Sequence, residues 1–387
     1  MNSLHLPPLS LYVHIPWCVR KCPYCDFNSH TNDGEALPEN DYVEALLEDL
    51  TAEASEAQLQ GRPLVSIFFG GGTPSLFSAA AIARILDGAE QRIGFAADIE
   101  ITLEANPGTA EQQKFRGFRA AGVNRLSIGI QSFHHAHLER LGRIHNGSEA
   151  LAAIGIARQA GFDNINLDLM HGLPQQTPEQ AIADLQQAID QQPEHLSWYQ
   201  LTIEPNTAFH SQPPLLPVET TLERIQAQGH QLLKSAGFEA YEISAYARPQ
   251  RQSQHNSNYW QFGDYLGIGA GAHGKITAVS EQKIIRTQKT RQPGDYLSRR
   301  IKGQSYLAKH APLESAELPQ EFLMNALRLQ QGVPSALFNQ RTGIALNTLE
   351  SHWQVLETKG LVEPLASGRL RCTALGRRFL DSILAEF

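Results

Sequence analysis

The sequence predicts an α/β protein built on a partial, TIM-like (β/α)6 barrel, followed by a mostly helical, winged-helix-like C-terminal part. Apolar, β-rich runs alternate with helical stretches, as parallel strands with helical crossovers require. Polar or Gly-rich residues follow each run at its carboxyl end, where ligands gather in parallel βα proteins. The chain has 387 residues, of which 42% are hydrophobic, so it is long enough to bury a sizeable core.

Six strands and the helices between them make up the predicted barrel. Their alternation favours a single sheet covered by helices. The predicted strands are Leu9–Ile15, Leu64–Phe69, Asp98–Glu104, Asn124–Ile130, Asn164–Leu169 and Leu196–Ile203, with helices at Tyr42–Glu56, Ala79–Arg92 and Pro178–Gln191.

The alternation stops at a proline-rich segment around Pro213, Pro214 and Pro217. The sequence therefore predicts a barrel in residues 1–215, an accessory region in 216–310 and a C-terminal domain in 311–387. Near the end, a helix over Leu346–Thr358 leads to Gly360 as a C-cap and to two short strands around Ser367-Gly368. This order is typical of a winged helix.

The charge balance bears on the partners. The chain has 40 acidic and 32 basic residues and a net charge of −8, so nucleic acid and anionic membranes are not expected as partners. The arginines of the winged-helix-like part are therefore expected to serve packing rather than DNA binding. No run approaches the ~20 apolar residues that span a bilayer, and no signal peptide is visible, so we expect a cytoplasmic protein without a membrane span.

Three of the four cysteines, Cys18, Cys22 and Cys25, fall on one loop directly after the first strand. Thiolates at this spacing can bind three irons of a 4Fe-4S cluster and leave the fourth iron open for a small ligand. The alternative is a structural zinc site with His14 or His30 as fourth ligand, but no second cysteine pair is present to complete it. The spacing favours the cluster.

The residues around this loop resemble a known family. The segment Tyr12-Val-His-Ile-Pro-Trp-Cys18-Val-Arg-Lys-Cys22-Pro-Tyr-Cys25 resembles the radical-SAM signature of the oxygen-independent coproporphyrinogen III oxidase-like family. Within that family, Cys-Pro-Tyr-Cys-Asp-Phe-Asn-Ser-His and His255-Asn-Ser-Asn-Tyr-Trp260 are similar to the heme chaperone branch over essentially the whole chain. The resemblance continues through Gly70-Gly-Gly-Thr-Pro74, Glu104-Ala-Asn-Pro107, Gly129-Ile-Gln-Ser-Phe133, Leu141-Gly-Arg-Ile-His145 and Asn166-Leu-Asp-Leu-Met-His-Gly-Leu-Pro174.

The resemblance implies a cluster on the three cysteines and S-adenosylmethionine (SAM) on the open iron. Residue chemistry agrees, because glycines admit a ligand close to the backbone, a guanidinium suits a carboxylate, and carboxylates or amides suit ribose hydroxyls. From the residues alone, a Gly run making a turn, a surface Arg ion pair and tyrosines in the core stay open as alternatives. The resemblance also makes His14 a brace for the cluster loop. The SAM contacts implied by the resemblance are Tyr12, Tyr24, Gly71, Gly72, Thr73, Glu104, Gln131, Arg143 and Asp168.

A second predicted site lies around His255, which the family resemblance makes the candidate heme ligand. From spacing alone, a hydrogen-bonding loop histidine is the better interpretation; an imidazole can nonetheless ligate heme iron, and aromatic rings pack on a porphyrin. The sequence therefore predicts a heme chaperone that carries heme to an acceptor hemoprotein, with respiratory hemoproteins as candidates.

The alternative is an oxygen-independent coproporphyrinogen III dehydrogenase that uses SAM for oxidative decarboxylation. Two departures from that enzyme weaken it. Phe27 stands where the enzyme's signature has a further cysteine, and the enzyme's longer N-terminal arm has no counterpart before the first strand.

Overall fold

The computed structural model describes residues 4–32, 34, 36–56, 59, 61–108 and 112–387. Strands and helices alternate through the first half of the chain. The strands, in chain order, are β1 (Leu9–Ile15), β2 (Trp17–Cys18), β3 (His30–Thr31), β4 (Leu64–Gly71), β5 (Phe95–Ala105), β6 (Arg125–Gln131), β7 (Ile165–His171), β8 (His195–Gln200), β9 (Glu239–Ala240), β10 (Ala245–Ala247), β11 (Asp264–Ile268), β12 (His273–Ala278), β13 (Lys283–Lys289), β14 (Leu307–Pro312), β15 (Val333–Pro334) and β16 (Arg369–Leu370).

The helices cover the outer face of the sheet and build the C-terminal domain. Four 3-10 turns, at Pro74–Leu76, Val279–Glu281, Leu346–Leu349 and Leu365–Ser367, join them within the described residues. The α-helices are α1 (Glu39–Glu56), α2 (Ala79–Arg92), α3 (Phe115–Ala120), α4 (His135–Arg140), α5 (Gly147–Gln159), α6 (Pro178–Asp190), α7 (Ala208–Ser211), α8 (Glu219–Ser235), α9 (Gln254–Trp260), α10 (Pro293–Lys302), α11 (Leu318–Ala326), α12 (Ala336–Thr342), α13 (Glu350–Thr358), α14 (Ala374–Arg378) and α15 (Leu380–Leu384).

The six predicted barrel strands form and pair in parallel, in the order β1-β4-β5-β6-β7-β8. They lie at the centre of a twelve-stranded sheet. Beyond β1, strand β11 is parallel to β1 and the antiparallel strands β12, β13 and β14 follow it; beyond β8 come the antiparallel β10 and β9. Because β14 and β9 do not pair with each other in the described chain, the barrel is open, and the predicted partial barrel is confirmed.

The two faces of the sheet have different chemistry. On β1, Leu11 and Val13 are fully buried in the main apolar core, which the covering helices share. Side chains alternate along a strand, so Ser10 and Tyr12 lie on the opposite face, the inside of the barrel. There the Ser10 hydroxyl bonds with that of Ser66 on β4, at 2.7 Å. The inside of the barrel is therefore polar.

Helix α9 lies on this inner side. The Asn258 side chain donates from Nδ2 to Ser10 Oγ at 2.9 Å and to the carbonyl of Asp264 at 2.9 Å. The accessory strands and α9 thus complete the barrel sheet instead of standing apart from it, although the domain boundaries at 215 and 310 remain predictions.

The C-terminal part contains the elements of a winged helix in the usual order, α11, β15, α12, α13 and β16, around an apolar core of its own. Gly360 has a positive φ of 70°, as its predicted place after a helix requires. The predicted hairpin around Ser367-Gly368 differs: β16 pairs with β15, and only the bridge between Val362 and Cys372 crosses the turn. No helix in the described part of the chain is long and apolar enough to cross a membrane.

Element ends differ from the predicted ones where tertiary contacts decide. Strand β8 ends at Gln200, before the predicted Ile203, and Leu201, directly after it, packs in a small apolar cluster with Leu141 and Phe209. The predicted helix over Leu346–Thr358 begins as a 3-10 turn and becomes α-helical only at Glu350.

Candidate functional site

The three cysteines lie on a loop that backbone pairing closes at both ends. Strands β2 and β3 pair Trp17 with His30 and Cys18 with Thr31. Within the loop, the backbone N–H of Cys25 donates to the carbonyl of Cys22 at 3.1 Å. The sequence spacing therefore gives a compact turn that holds the three thiols together.

Each thiol has a polar neighbour, and the three are only partly buried. Burial raises the pKa of the Cys18 and Cys25 thiols, whereas the hydrogen-bond donors around them lower it. These donors fit a site for thiolate ligands. The neighbours are Thr73, which donates from Oγ1 to Cys18 Sγ (3.5 Å), Arg143, which donates from Nη1 to Cys22 Sγ (3.7 Å), and Ser29, whose Oγ lies 3.8 Å from Cys25 Sγ.

The surroundings of the three thiols suit cluster ligands. In an iron-sulfur cluster each cysteine binds a different iron, and a hydrogen-bonding side chain lies beside each of the three sulfur atoms. The choice between a cluster and zinc rests on the sequence spacing. Among the described residues, no group of three His, Cys, Asp or Glu side chains is placed to hold a single metal ion.

The glycines at the end of β4 lie directly against the cluster loop. A Cβ on Gly72 would lie 2.5 Å from the carbonyl oxygen of Trp17, and one on Gly71 would lie 2.6 Å from the ring of His14. Gly71 also has a φ of 113°, which a side chain would strain. The backbone N–H of Thr73 donates to the Trp17 carbonyl at 2.7 Å. Glycine is therefore required here by the close packing of β4 against the cluster loop and His14.

Arg143 is partly buried and makes several hydrogen bonds within the site instead of a surface ion pair. Its Nη2 donates to Asn106 Oδ1 at 2.6 Å and to the carbonyl of Gly129 at 2.8 Å. Asn106 in turn donates from Nδ2 to Thr73 Oγ1 at 3.1 Å. The Nε of Arg143 is buried and has no hydrogen-bond partner among the described residues, so the guanidinium can still bind an anionic ligand.

Asn106 is a site residue that the sequence analysis did not single out. It lies in the quoted segment Glu104-Ala-Asn-Pro107, directly after β5, which is two strands from β1 in the sheet. Its amide joins Thr73 and Arg143, two residues assigned to SAM. The sequence signal that could have identified Asn106 is a polar residue directly after a predicted strand.

Two carboxyl groups, Glu104 on β5 and Asp168 on β7, face the inside of the barrel. Burial, and then the nearby Asp168 charge, raise the pKa of Glu104 to about 8. Burial also raises the pKa of Asp168, which accepts hydrogen bonds from Ser127 Oγ and Asn166 Nδ2, both at 2.8 Å. The pair gives the barrel interior acceptors suited to hydroxyl groups.

Gln131 ends β6 with a φ of 67°, in the left-handed region that non-glycine residues rarely adopt. Its Oε1 accepts a hydrogen bond from the Tyr199 hydroxyl at 2.9 Å. Strained backbone of this kind is frequent at ligand sites, so Gln131 keeps its candidate role.

One candidate tyrosine lies on β1 and the other in the cluster loop itself. The Tyr12 hydroxyl bonds with His14 Nδ1 at 3.0 Å, and His14 Nε2 bonds with the carbonyl of Asn28 at 2.9 Å, so His14 links the loop to β1 as expected. Tyr24, between Cys22 and Cys25, packs against Phe209, with ring centres 6.4 Å apart.

His255, the candidate heme ligand, is 3% exposed. Its ring stacks on Phe68 with centroids 4.6 Å apart, and it lies 4.3 Å from Tyr259 and 6.4 Å from Tyr12. Phe68 and Tyr12 belong to β4 and β1, so the ring lies inside the barrel and beside a candidate SAM residue. The sequence treated these as two sites, whereas the structure brings them together.

Comparison with known proteins shows which families the chain resembles. The Radical SAM superfamily matches residues 12–188, and the HemN C-terminal domain matches residues 313–379. The heme chaperone HemW of Escherichia coli (strain K12) is 51% identical over 99% of this chain and 98% of its own length. The heme chaperone HemW of Haemophilus influenzae is 50% identical over the same shares.

Among solved structures, the radical SAM enzyme coproporphyrinogen III oxidase (HemN) from Escherichia coli superposes with a TM-score of 0.82. The match covers 98% of this chain and 90% of that one, at 24% sequence identity, and so it bears on the fold alone.

The open parallel barrel, with three cysteines on the loop after its first strand, is that of a radical SAM protein. Because the sequence is 51% and 50% identical to two heme chaperones over 99% of this chain, the protein belongs to the heme chaperone HemW family.

Proposed function

We propose that this protein is a cytoplasmic heme carrier that binds heme and passes it to an acceptor hemoprotein. The observation that carries the proposal is the full-length likeness to heme chaperones at 51% and 50% identity. The alternative function is coproporphyrinogen III oxidation. It is supported by the similar fold of the Escherichia coli enzyme HemN, but the sequence of that enzyme is only 24% identical to this chain. Phe27, where that enzyme's signature has a cysteine, is 65% exposed beside the cluster loop.

In this proposal Cys18, Cys22 and Cys25 hold a 4Fe-4S cluster. The donors from Thr73, Arg143 and Ser29 support the fit, because they stabilise thiolates. When bound, the cluster and SAM supply one-electron chemistry.

Each residue assigned to SAM has a proposed role in binding it, and the chemistry of its side chain suggests that role. Arg143 binds the methionine carboxylate through a guanidinium that Asn106 holds in place. Gly71, Gly72 and Thr73 admit the amino end close to the backbone. Glu104, Gln131 and Asp168 accept hydrogen bonds from the ribose hydroxyls, and Tyr12 and Tyr24 border the nucleoside. His255 is the proposed ligand of the heme iron.

The heme-carrier function is tested with anaerobically reconstituted protein. Titration with hemin is expected to give a Soret shift at near-stoichiometric heme, followed by heme transfer to an apo-hemoprotein. Lack of any Soret shift would remove the carrier function. Incubation with coproporphyrinogen III, SAM and a reductant distinguishes the carrier from the alternative enzyme. Formation of protoporphyrinogen would show that the protein is the enzyme instead.

The cluster is tested by a thiol comparison. Cys22→Ser is expected to lose most of the iron and sulfide after reconstitution, because one of three ligands is gone. Cys372→Ala is the matched control, since Cys372 is 2% exposed in the C-terminal core and far from the loop in sequence. Equal iron contents in the two variants would contradict the ligand assignment.

A further inference from the structure

The ring of His255 is part of the inner wall of the barrel. Along β4, Ile67 and Phe69 are fully buried in the outer core, so Phe68 faces inward by alternation. The His255 ring stacks on Phe68, with an interplanar angle of 21° and centroids 4.6 Å apart. Tyr12, on the inner face of β1, lies 6.4 Å from it. His255 thus shares its surroundings with a residue assigned to SAM.

One ring nitrogen of His255 is available for a ligand. Its Nδ1 is buried and has no hydrogen-bond partner among the described residues. The imidazole is 3% exposed and is packed between the rings of Phe68 and Tyr259, with centroid distances of 4.6 and 4.3 Å. A buried polar atom without a partner is uncommon and indicates an absent ligand or a functional role.

The lower end of the barrel is closed around His255. The Glu100 carboxylate on β5 accepts from Ser253 Oγ (3.3 Å), from the backbone N–H of Gln254 (3.1 Å) and from the backbone N–H of His255 (3.2 Å). Glu100 also lies 3.9 Å from Arg125, and both side chains are 5% exposed or less. These contacts anchor the start of α9 to the sheet.

The far end of α9 is held as well. Asn258 is bonded to Ser10, and the guanidinium of Arg328 lies 4.3 Å over the ring of Trp260. Helix α9 therefore forms a fixed floor. The candidate SAM residues lie toward the opposite end of the barrel: Gly71 ends β4, Glu104 lies next to the end of β5, and Asp168 lies inside β7.

We propose that heme bound through His255 and the nucleoside of SAM occupy overlapping space inside the barrel, so that each ligand excludes the other. A porphyrin whose iron is bound by the His255 imidazole would lie among the rings that surround it, Phe68 and Tyr12, and Tyr12 is also assigned to SAM. The inference rests on the proposed heme-carrier function and specifies how it is regulated: SAM occupancy opposes heme loading, and SAM release permits it.

The test is a competition on the full chain with its oxidised cluster, without reductant, so that SAM is not cleaved. Hemin is titrated with absorbance detection, and bound radiolabelled SAM is measured by equilibrium dialysis. SAM at about ten times its own Kd is expected to raise the apparent Kd for heme about tenfold. Bound SAM is expected to fall as heme rises.

Variants locate the overlap. Asp168→Asn is expected to raise the SAM concentration that gives half of the effect, because the ribose contact is weakened. His255→Gln is expected to remove the competition. Glu139→Gln is the matched control, since Glu139 is 67% exposed on α4 and pairs only with His135 in the described structure.

The outcomes are distinguishable. Heme and SAM bound together, each at its full affinity, would overturn this inference and leave the heme-carrier function in place. Absence of heme binding even without SAM would overturn both. The dialysis measurement on the unmodified protein decides between these results even where a variant fails to fold.

Discussion

Gly72 shows how one missing side chain shapes the site. A Cβ there would lie 2.5 Å from the Trp17 carbonyl, and backbone cannot yield as a flexible side chain can. We expect Gly72→Ala to push the end of β4 away from the cluster loop, at a cost of about 1–3 kcal/mol. SAM binding, measured by equilibrium dialysis, is then expected to weaken about tenfold or more.

The control for this variant is Gly155→Ala. Gly155 is exposed on α5, with nothing within 4 Å of an added Cβ, so alanine there is expected to stabilise the helix by ~0.5–1 kcal/mol and to leave SAM binding alone. Equal SAM affinities for the two variants would show that the close approach at Gly72 is not needed.

Glu104 gives a pH prediction. In the folded protein its pKa is raised to about 8, against an ordinary value of 4.5, so the folded state holds a proton that the unfolded chain releases. The contribution of Glu104 to the free energy of unfolding is therefore fully present below pH 4.5 and is lost as the pH rises from 4.5 to about 8. The side chain keeps some exposure, so the loss is expected to be roughly 1–3 kcal/mol rather than the full value.

Glu104→Gln removes this proton linkage. Urea unfolding of the cluster-free protein is expected to give equal stabilities for wild type and variant at pH near 4, and a variant that gains stability relative to wild type as pH rises to about 8. The exposed Glu139→Gln serves as control. A stability difference that does not change with pH would contradict the raised pKa.

Helix α9 depends on a carboxylate from another element. Glu100 accepts from its first backbone N–H groups and faces Arg125, with both side chains buried. Glu100→Ala would leave the Arg125 charge buried and unpaired, and we expect a loss of about 3–5 kcal/mol. Faster hydrogen exchange in α9 would locate the damage.

The matched control is Glu179→Ala. Glu179 is 71% exposed and pairs with Arg224, 60% exposed, so its loss is expected to change the stability much less than the loss of Glu100 does. A Glu100→Ala protein as stable as this control, with unchanged exchange in α9, would show that the carboxylate does not anchor the helix.

The sequence predicts the barrel strands well because their signals are local. Each strand is a run of apolar residues, and Glu104 and Asp168 lie near the carboxyl ends of their runs, so parallel pairing suffices to bring them to the same end of the sheet. The position of α9 is different. The bond from Asn258 to Ser10 joins residues 248 positions apart, and no local pattern reports it. For this reason the sequence alone predicts a separate site for His255.

The arrangement of Arg143 was also beyond the sequence. Its family role was available from the resemblance, but its partner Asn106 lies on another strand end 37 positions away. Composition and spacing indicate which groups gather at the sheet edge. They do not report which of these groups bond to one another, because rotamers and loop paths decide that.

On the scale of the whole molecule, the winged-helix-like domain is the feature most open to misreading. Its arginines Arg369, Arg371, Arg377 and Arg378 suggest DNA binding by type alone. In the structure each of these guanidinium groups makes a hydrogen bond or an ion pair within the protein. Arg369 donates to the carbonyls of Gln331 and Gly332, Arg371 to that of Gln330 and Arg377 to that of Cys372, while Arg378 pairs with Glu223 of α8.

We therefore expect no specific DNA binding. With a net charge of −8, a gel-shift or anisotropy titration at physiological salt is expected to give nothing tighter than nonspecific contacts, with Kd weaker than about 10 µM. Sub-micromolar binding that falls steeply with salt would contradict this. Arg369→Ala is expected to lower the melting temperature of the protein instead.

The open sheet ends in two free borders, and both are poor templates for a further strand. One border is β14, with Lys309 and His310 exposed and Pro312 unable to donate a hydrogen bond. The other is β9, only two residues long. Intermolecular strand addition, the common route to aggregation for an unclosed barrel, is thus discouraged at each side, and the molecule can keep its barrel open without polymerising.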